Sequence, residues 1–221
     1  MKAVLDAPLT PLGRKQAAAL SPAIPQLHDK VELIVTSPLK RTLQTTLLGW
    51  GPAVKRLGIQ NVICHPGAQE CNDFPCDTGT PREELEQLKE FTGFDFSKLT
   101  PDWTSKKGFY AADQDALTAR AQAVRQFLRE RPEKHIALIA HGDFLRRITC
   151  DADGPSAHMW KNAEVRVFTF DQSTVDQDIC LFEFGDVVEG ATGYSWSDKE
   201  IPDPGPIEIN SDGTVEANGK L

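Results

Sequence analysis

Residues 135–147, with the sequence HIALIAHGDFLRR, carry the strongest fold signal in the chain. An apolar run ends at His141, Gly142 follows it, and a helix-forming stretch begins near Asp143. A nearly continuous apolar run is typical of a strand that is covered on both faces, as in a parallel sheet between helices. The stretch therefore predicts a buried strand that runs directly into a helix.

A second junction of this kind lies upstream in residues 31–41, VELIVTSPLKR. Ser37 followed by Pro38 combines a capping residue with a proline, which is a common helix-start signal. Because strands alternate with helices along the chain, we predict an α/β fold, a three-layer sandwich with a mostly parallel central sheet. Ligands bind such sheets at the carboxyl ends of the strands, so the two junctions mark the candidate site.

The remaining elements complete one domain, predicted over residues 1–190. Thr10 and Pro11 indicate a helix start. Further strands are predicted at 60–64, 165–170 and 179–184, the last two antiparallel or at an edge, and helices at 81–91 and 112–131. Residues 191–221 are rich in Gly, Pro, Asp and Ser, and we predict an extended, weakly ordered tail there.

Composition excludes several classes of protein. A net charge of −8 over 221 residues argues against nucleic-acid binding, which needs a basic surface. No apolar run is long enough to span a membrane, so we predict a cytoplasmic protein that does not bind membranes.

The five cysteines are odd in number, and we predict that they are reduced thiols. His65, Cys71 and Cys76 lack a fourth ligand for zinc, so no metal and no cofactor are predicted.

Three side chains at the predicted strand ends could act on a phosphate, and each also has an ordinary structural interpretation. Arg41 sits in the first turn of a predicted helix, where it could bind two phosphate oxygens or be a solvated surface cation. His141 could face the crevice or be a structural histidine at a strand end. Glu70 could be a general acid or a solvated loop residue. Gly142 would let the backbone approach a ligand closely.

Taken together, four motifs resemble the histidine phosphatase (phosphoglycerate-mutase-like) superfamily. They lie in the family's order, in residues 6–13, 37–45, 69–79 and 139–146, and a fifth similar segment follows at 162–166. The resemblance implies a phosphoglycerate-mutase-like fold. It also implies that Arg41 binds phosphate, that Glu70 is the proton donor and that His141 is the second, non-nucleophilic histidine. Gly142 and Arg146 fall in the same motif and are predicted to contact substrate.

One part of the family's pattern has no counterpart in residues 1–221. The family's first strand ends in Arg-His-Gly, whose histidine accepts the phosphoryl group, and it precedes the segment matched by residues 6–13. Only five residues precede Asp6, and none is His or Arg. Loss of a nucleophile costs about 10⁶ in kcat in a well-studied hydrolase. The resemblance therefore implies a sheet without its first strand, beside the strand that ends near His141.

We interpret the chain as a phosphomonoester hydrolase of this superfamily whose own activity is in question, with a phosphorylated or other anionic small molecule as ligand. Two alternatives stay open. The chain could be a non-hydrolytic descendant that binds or transforms an anionic small molecule, or an inactive structural homologue.

The absence of the first strand would leave one edge of the sheet unpaired. This edge could be closed by re-pairing, by residues 1–5, by the tail or by a second chain. Pairing with a second chain would give a homodimer, which we expect.

Overall fold

A parallel sheet of three short strands forms the centre of the protein in this computed structural model. The strands are β1 (Leu33–Thr36), β2 (Ile63–Cys64) and β3 (Ile136–Ile139), in the order β2-β1-β3. The register aligns Leu33 with Ile136 and Thr36 with Ile139, so β1 and β3 end side by side.

The structure describes residues 4–151, 153–195 and 201, together with the backbone of 207–209 and 215–217. The α-helices of these residues are α1 (Pro11–Ala23), α2 (Pro25–Lys30), α3 (Lys40–Gly49), α4 (Gly51–Leu57), α5 (Arg82–Leu85), α6 (Gln114–Arg129) and α7 (Gly142–Ile148). Short 3₁₀ turns lie at Ile59–Asn61, Pro66–Ala68, Pro75–Asp77, Lys89–Phe91 and Gly108–Tyr110. No helix among these residues has the length and apolar character needed to cross a bilayer.

Helices cover both faces of the sheet, which confirms the three-layer α/β prediction. On one face, Ile34 packs in a cluster with residues of α1, α3 and α4. On the other face, Val35 packs in a second cluster with residues of α6 and α7. All four residues of β1 are buried. Strands of this kind need apolar residues at successive positions, because both of their faces are covered.

Side-chain caps mark the starts of α1 and α6. The Thr10 hydroxyl accepts a hydrogen bond from the Gly13 amide at 3.0 Å, as its capping position predicts. The predicted helix over 112–131 is α6, with 16 residues. The predicted helix over 81–91 is wrong in extent, because only Arg82–Leu85 is α-helical and a 3₁₀ turn follows. The strand predicted at 60–64 is shorter, since a 3₁₀ turn occupies its start.

The last strands form separate antiparallel pairs. β4 (Asn162–Phe170) pairs with β5 (Phe182–Tyr194), as the sequence predicted for this region, although both strands are longer than expected. β5 runs into the segment predicted as a tail, and Ala191 is buried, because the residues of β5 stay paired with β4 beyond Gly190. Two short strands, β6 (Ile207–Ile209) and β7 (Val215–Ala217), pair further along. The rest of the predicted tail lies outside the described residues.

The outer edge of β3 has no strand beside it within the described residues. The apolar clusters nevertheless continue past this edge: Ala137 shares one cluster with Val188, and Leu138 borders the other together with Phe170. Packing therefore extends from the parallel sheet to β4 and β5, while backbone pairing stops at β3.

The beginning of the described chain does not close this edge. Val4 and Leu5 are 60% and 54% exposed, so their side chains are not part of either cluster. Met1, Lys2 and Ala3 lie outside the described residues. Unpaired backbone groups at a strand edge favour pairing with another segment or another chain.

Candidate active site

The carboxyl ends of β1 and β3 are joined by a hydrogen bond between side chains. The Ser37 amide donates to the Ile139 carbonyl oxygen at 2.9 Å, which continues the ladder past the end of β1. The Ser37 hydroxyl then lies 2.8 Å from Nε2 of His141. Both side chains are buried, so Ser37 holds the imidazole in one orientation.

The position of Ser37 differs from the sequence interpretation. Ser37 was predicted to cap a helix, but α3 begins at Lys40 with Leu39 at the capping position. The Ser37 hydroxyl accepts a long hydrogen bond from the Leu39 amide at 3.4 Å and also contacts His141, which lies 104 positions away in the chain. A short-range capping signal contains no information about such a contact.

Arg41 is the second residue of α3, as predicted, and its guanidinium is held by the 3₁₀ turn Pro75–Asp77. It donates to the Cys76 carbonyl oxygen at 2.6 Å and to the Asp77 carboxylate at 2.7 Å. A guanidinium has five N–H donors, so these two bonds leave others for a ligand. The Asp77 pairing could not be inferred from spacing, because the residues lie 36 positions apart.

Glu70 lies in the loop after β2 and is partly buried. Its Oε1 accepts a hydrogen bond from the Cys71 amide at 2.8 Å. Burial raises the pKa of Glu70, while the Cys71 amide and the charge of Arg41 oppose the rise. A carboxyl group with a raised pKa keeps its proton to higher pH, which is the property a general acid needs.

Arg41 lies close enough to Glu70 and to His141 for its charge to affect the pKa of both side chains. Burial lowers the pKa of His141 well below its usual range, and the charges of Arg41, Lys106 and Arg120 lower it further. The charge of Arg41 therefore acts on both Glu70 and His141. At neutral pH the imidazole is uncharged, since the charged form is disfavoured by burial and by nearby cations.

The two remaining predicted ligand residues occupy different surroundings. Gly142 opens α7, and a Cβ added there would meet nothing nearer than Trp160 at 3.9 Å, so packing does not require a glycine. Arg146 donates from Nε to the Ser156 carbonyl oxygen at 2.8 Å and lies 3.9 Å from the Asp143 carboxylate. No contact among the described residues joins Arg146 to His141.

Two cations at the site were missed by sequence reasoning. Lys106 Nζ and Arg120 both donate to the Glu70 carbonyl oxygen at 3.3 Å, and Arg120 also donates to the Gln69 carbonyl oxygen at 2.8 Å. Arg120 lies on α6, where helical spacing alone gives no reason to bury an arginine. Lys106 lies in an irregular stretch that carries no motif.

Trp103 attaches the stretch that carries Lys106 to the rest of the site. The Trp103 carbonyl oxygen accepts a bond from the Gln69 side chain at 2.9 Å, and the indole packs on Gly79. A Cβ at Gly79 would lie 1.9 Å from the ring, so only glycine fits there. The loop after β2 and the Lys106 stretch are therefore packed as one unit.

The other four histidines have partners elsewhere, and no described contact joins them to Arg41, Glu70 or His141. His28 bonds to Ser21, His65 to Gly67, His135 pairs with Glu32 and His158 with Glu164. Within the described part of the chain, no group of three or more His, Cys, Asp or Glu side chains is arranged to hold a metal. All five cysteines are unpaired thiols.

Comparison with known families decides how this geometry is classified. The family model of the histidine phosphatase superfamily (branch 1) matches residues 1–178. The chain belongs to this superfamily. The family resemblance read from the four motifs is thereby confirmed.

Curated relatives in this superfamily match part of the length of the chain. A probable phosphatase of Schizosaccharomyces pombe is 31% identical over 136 residues, which is 61% of this chain and 62% of that protein. Phosphoglycerate mutase-like protein 1 of Arabidopsis thaliana is 31% identical over 170 residues, 63% of this chain and 58% of that protein. The chain thus spans about three fifths of the length of these relatives.

Solved structures share the fold at low sequence identity. A mycobacterial glucosyl-3-phosphoglycerate phosphatase superposes with a TM-score of 0.51 at 17% identity, covering 86% of this chain and 91% of that one. The α-ribazole phosphatase of Shigella flexneri gives a TM-score of 0.50 at 16% identity, with 87% and 90% covered. These similarities support the phosphoglycerate-mutase-like fold.

Asp6 connects the start of α3 to the loop that holds Arg41. Its buried carboxylate accepts hydrogen bonds from the Lys40 amide at 2.9 Å and the Thr80 amide at 3.0 Å, while its own amide donates to Pro75. Asp6 has a φ of 45°, in the left-handed region. The family motif that begins at Asp6 therefore has a structural role in positioning the site.

Replacing Asp6 with alanine is expected to destabilise the protein, because it leaves the Lys40 and Thr80 amides without their acceptor. Each buried donor left unpaired costs about 1–3 kcal/mol. Urea denaturation of Asp6→Ala beside Asp73→Ala, an exposed loop aspartate, measures the difference. Equal free energies of unfolding for the two variants would contradict the role assigned to Asp6.

Proposed function

We propose that this chain provides the phosphate-binding residues of a phosphomonoester hydrolase of the histidine phosphatase superfamily, which acts on a phosphorylated small molecule. One observation carries the proposal: the Ser37–His141 pair and Arg41, in the first turn of α3, both follow the carboxyl ends of β1 and β3. Ligands bind at this edge in parallel α/β sheets. The phosphatases among its relatives support the same reaction class.

Each residue then has a role that follows from its surroundings. Arg41 binds phosphate oxygens with the guanidinium donors that Cys76 and Asp77 leave free. Neutral His141, oriented by Ser37, forms a hydrogen bond with a phosphoryl oxygen. Glu70, with its raised pKa, donates a proton to the leaving oxygen.

Two further residues are proposed to contact the substrate. Gly142 allows close approach of the phosphate to the backbone, since nothing in the packing explains a glycine there. The role of Arg146 as a substrate ligand stays a prediction, because its guanidinium bonds to Ser156.

The phosphoryl-accepting histidine of the family is, in this proposal, not among residues 1–221. His28, His65, His135 and His158 are engaged elsewhere, and none has a described contact with Arg41 or His141. Without that nucleophile, residues 1–221 can bind and orient phosphate, but efficient transfer loses about 8 kcal/mol of transition-state stabilisation.

The same observation favours a second candidate function, from a different class. A pocket that keeps an arginine, a carboxyl group and a neutral histidine, but no second histidine, can bind an anionic small molecule without hydrolysing it. In that case Glu70 and His141 would serve as ligands or would exchange protons with the bound molecule.

A cytoplasmic location is also proposed. Its support is that all five cysteines are unpaired, which is typical of a reducing compartment.

Hydrolysis of an aryl phosphate separates the two functions. We expect residues 1–221 to show little turnover, and a version extended at its N-terminus by a strand ending in Arg-His-Gly to hydrolyse the ester.

In the extended version, Arg41→Ala should lower kcat/KM roughly ten- to hundredfold, because a hydrogen bond to a charged group contributes about 1.5–3 kcal/mol. Arg41→Lys should recover only part, since an ammonium cannot make the planar two-point contact.

Arg82→Ala serves as the control, because Arg82 is an exposed arginine paired with Glu86 on the protein surface. Efficient hydrolysis by residues 1–221 would contradict the proposal that the phosphoryl-accepting histidine is not among them. A folded but inactive extended version that still binds inorganic phosphate would favour the anion-binding function. Equal activity of the Arg41 variants would show that the phosphate binds elsewhere.

We further propose that the open edge of β3 pairs with a second copy of the chain. Its unpaired backbone groups and the partly exposed side chains of Ile136 and Leu138 support this proposal. A buried backbone group without a partner costs about 1–3 kcal/mol, so several along one strand would offset a large share of a domain's stability. Pairing between two β3 strands would satisfy these groups.

Sedimentation and hydrogen exchange across a range of protein concentrations test this pairing. We expect a dimer whose β3 amides become more protected as concentration rises, while the amides of β4 serve as an internal control and do not change. A monomer with one cooperative thermal transition at all concentrations would contradict the proposal.

A further inference from the structure

Arg120 is a buried arginine that bonds to the backbone on both sides of Glu70. It lies on α6 and is only 1% exposed. Its guanidinium donates to the Gln69 carbonyl oxygen at 2.8 Å and to the Glu70 carbonyl oxygen at 3.3 Å. These two carbonyl groups belong to the peptide units before and after the Cα of Glu70. The planar fork of a guanidinium suits such a two-point contact, which fixes the backbone from which the Glu70 side chain extends.

The same guanidinium also packs on α7. Its central carbon lies 5.1 Å from the centroid of the Phe144 ring. Phe144 is fully buried and is the third residue of α7, which begins directly after His141. A cation over an aromatic face is attracted to it, and the attraction is stronger where water is excluded. Arg120 therefore connects the loop that carries Glu70 to the helix that follows His141.

The carboxyl group of Glu70 depends on this backbone for its position. Its Oε1 accepts one hydrogen bond, from the adjacent Cys71 amide at 2.8 Å. Among the described residues, no side chain donates a hydrogen bond to this carboxyl group, whereas Lys106 and Arg120 both bond to the Glu70 carbonyl oxygen. Of these two cations, Arg120 alone also bonds to Gln69. The contacts that place Glu70 thus act on its main chain, and Arg120 provides two of them.

We propose that Arg120 is a positioning residue for the reaction: it keeps the Glu70 carboxyl beside the phosphate bound by Arg41, so that its proton passes to the leaving oxygen as the P–O bond breaks. This inference rests on the proposed function, in which Glu70 is the proton donor. Arg120 itself contacts neither the phosphate nor the leaving group. Because a misplacement of about 1 Å can lower a rate about a hundredfold, loss of Arg120 acts on the step that Glu70 assists.

The choice of leaving group separates a positioning role from a merely structural one. Nitrophenolate leaves without a proton, whereas the alkoxide of benzyl phosphate needs one, so only benzyl phosphate depends on the acid. In the version extended by the Arg-His-Gly strand, we expect Arg120→Lys to lower kcat for benzyl phosphate roughly ten- to hundredfold and kcat for 4-nitrophenyl phosphate less than about twofold. KM should change for neither ester, since Arg41 is untouched. Lysine keeps the charge but cannot make the planar two-point contact.

The chain offers a matched control on the same helix. Arg125 is also buried on α6, but no described hydrogen bond joins it to the Glu70 loop, and it donates to the carbonyl oxygens of Arg147, Ile148 and Ile179. Arg125→Lys should therefore affect the two esters equally. Arg120→Gln, whose amide can bond to one carbonyl oxygen, is a second variant of the positioning residue and should show the same selectivity as Arg120→Lys.

Glu70→Gln provides the reference pattern, since it removes the acid and should slow benzyl phosphate selectively. Adding Arg120→Lys to Glu70→Gln should then lower kcat less than about twofold further, because residues that act as a unit are not additive. Selective slowing by Glu70→Gln but by neither Arg120 variant would overturn the positioning role and leave the proposed function intact. Equal slowing of both esters by Glu70→Gln would contradict the acid assigned in the proposed function, and the positioning role with it.

Hydrogen exchange of residues 1–221 tests the same contact without turnover. The Cys71 amide bonds to the Glu70 carboxyl group, so its exchange reports where that group lies. We expect this amide to exchange about tenfold faster or more in Arg120→Lys, the usual effect of losing a hydrogen bond to a charged group, and at an unchanged rate in Arg125→Lys. An unchanged Cys71 amide in Arg120→Lys would overturn the positioning role.

Discussion

The register between β1 and β3 is the constraint on which the site depends. Because Thr36 lies beside Ile139, the residues that follow both strands emerge at one edge of the sheet. Ser37 and His141 then come within 2.8 Å of each other. The helices that start just beyond, α3 and α7, carry Arg41 and Gly142 to the same place. A shift of one residue in this register would turn the side chains of β3 to opposite faces and move His141 away.

The electrostatics of the site follow from burial around His141. The imidazole is buried near Arg41, Lys106 and Arg120 and is therefore neutral, and of these three cations Arg41 is paired with the Asp77 carboxylate. Glu70 does not compensate fully, since burial raises its pKa. An anionic ligand would balance these cations, which explains why a protein with a net charge of −8 can attract one locally.

The sequence predicted the parts of the site that depend on strand ends and motifs. Apolar runs that end in polar residues indicated β1, β3 and the positions of Arg41 and His141. Lys106, Asp77 and Arg120 could not be found in this way, because their positions depend on tertiary packing between loops and on an unusual backbone conformation. The helix predicted at 81–91 shows the same limit, since much of that stretch forms turns. The motif at Asp6 was recognised, but its bonds to Lys40 and Thr80 were not.

We propose that His141 is a neutral histidine beside a phosphate site, and nitrogen NMR of its imidazole is the decisive measurement. With His141→Gln used to assign its signals, the ring of His141 should still be uncharged at a pH where an ordinary histidine has gained its proton. Inorganic phosphate should raise its pKa, because a nearby anion favours the charged form. A pKa near the ordinary value of about 6.5 that phosphate does not change would contradict the account.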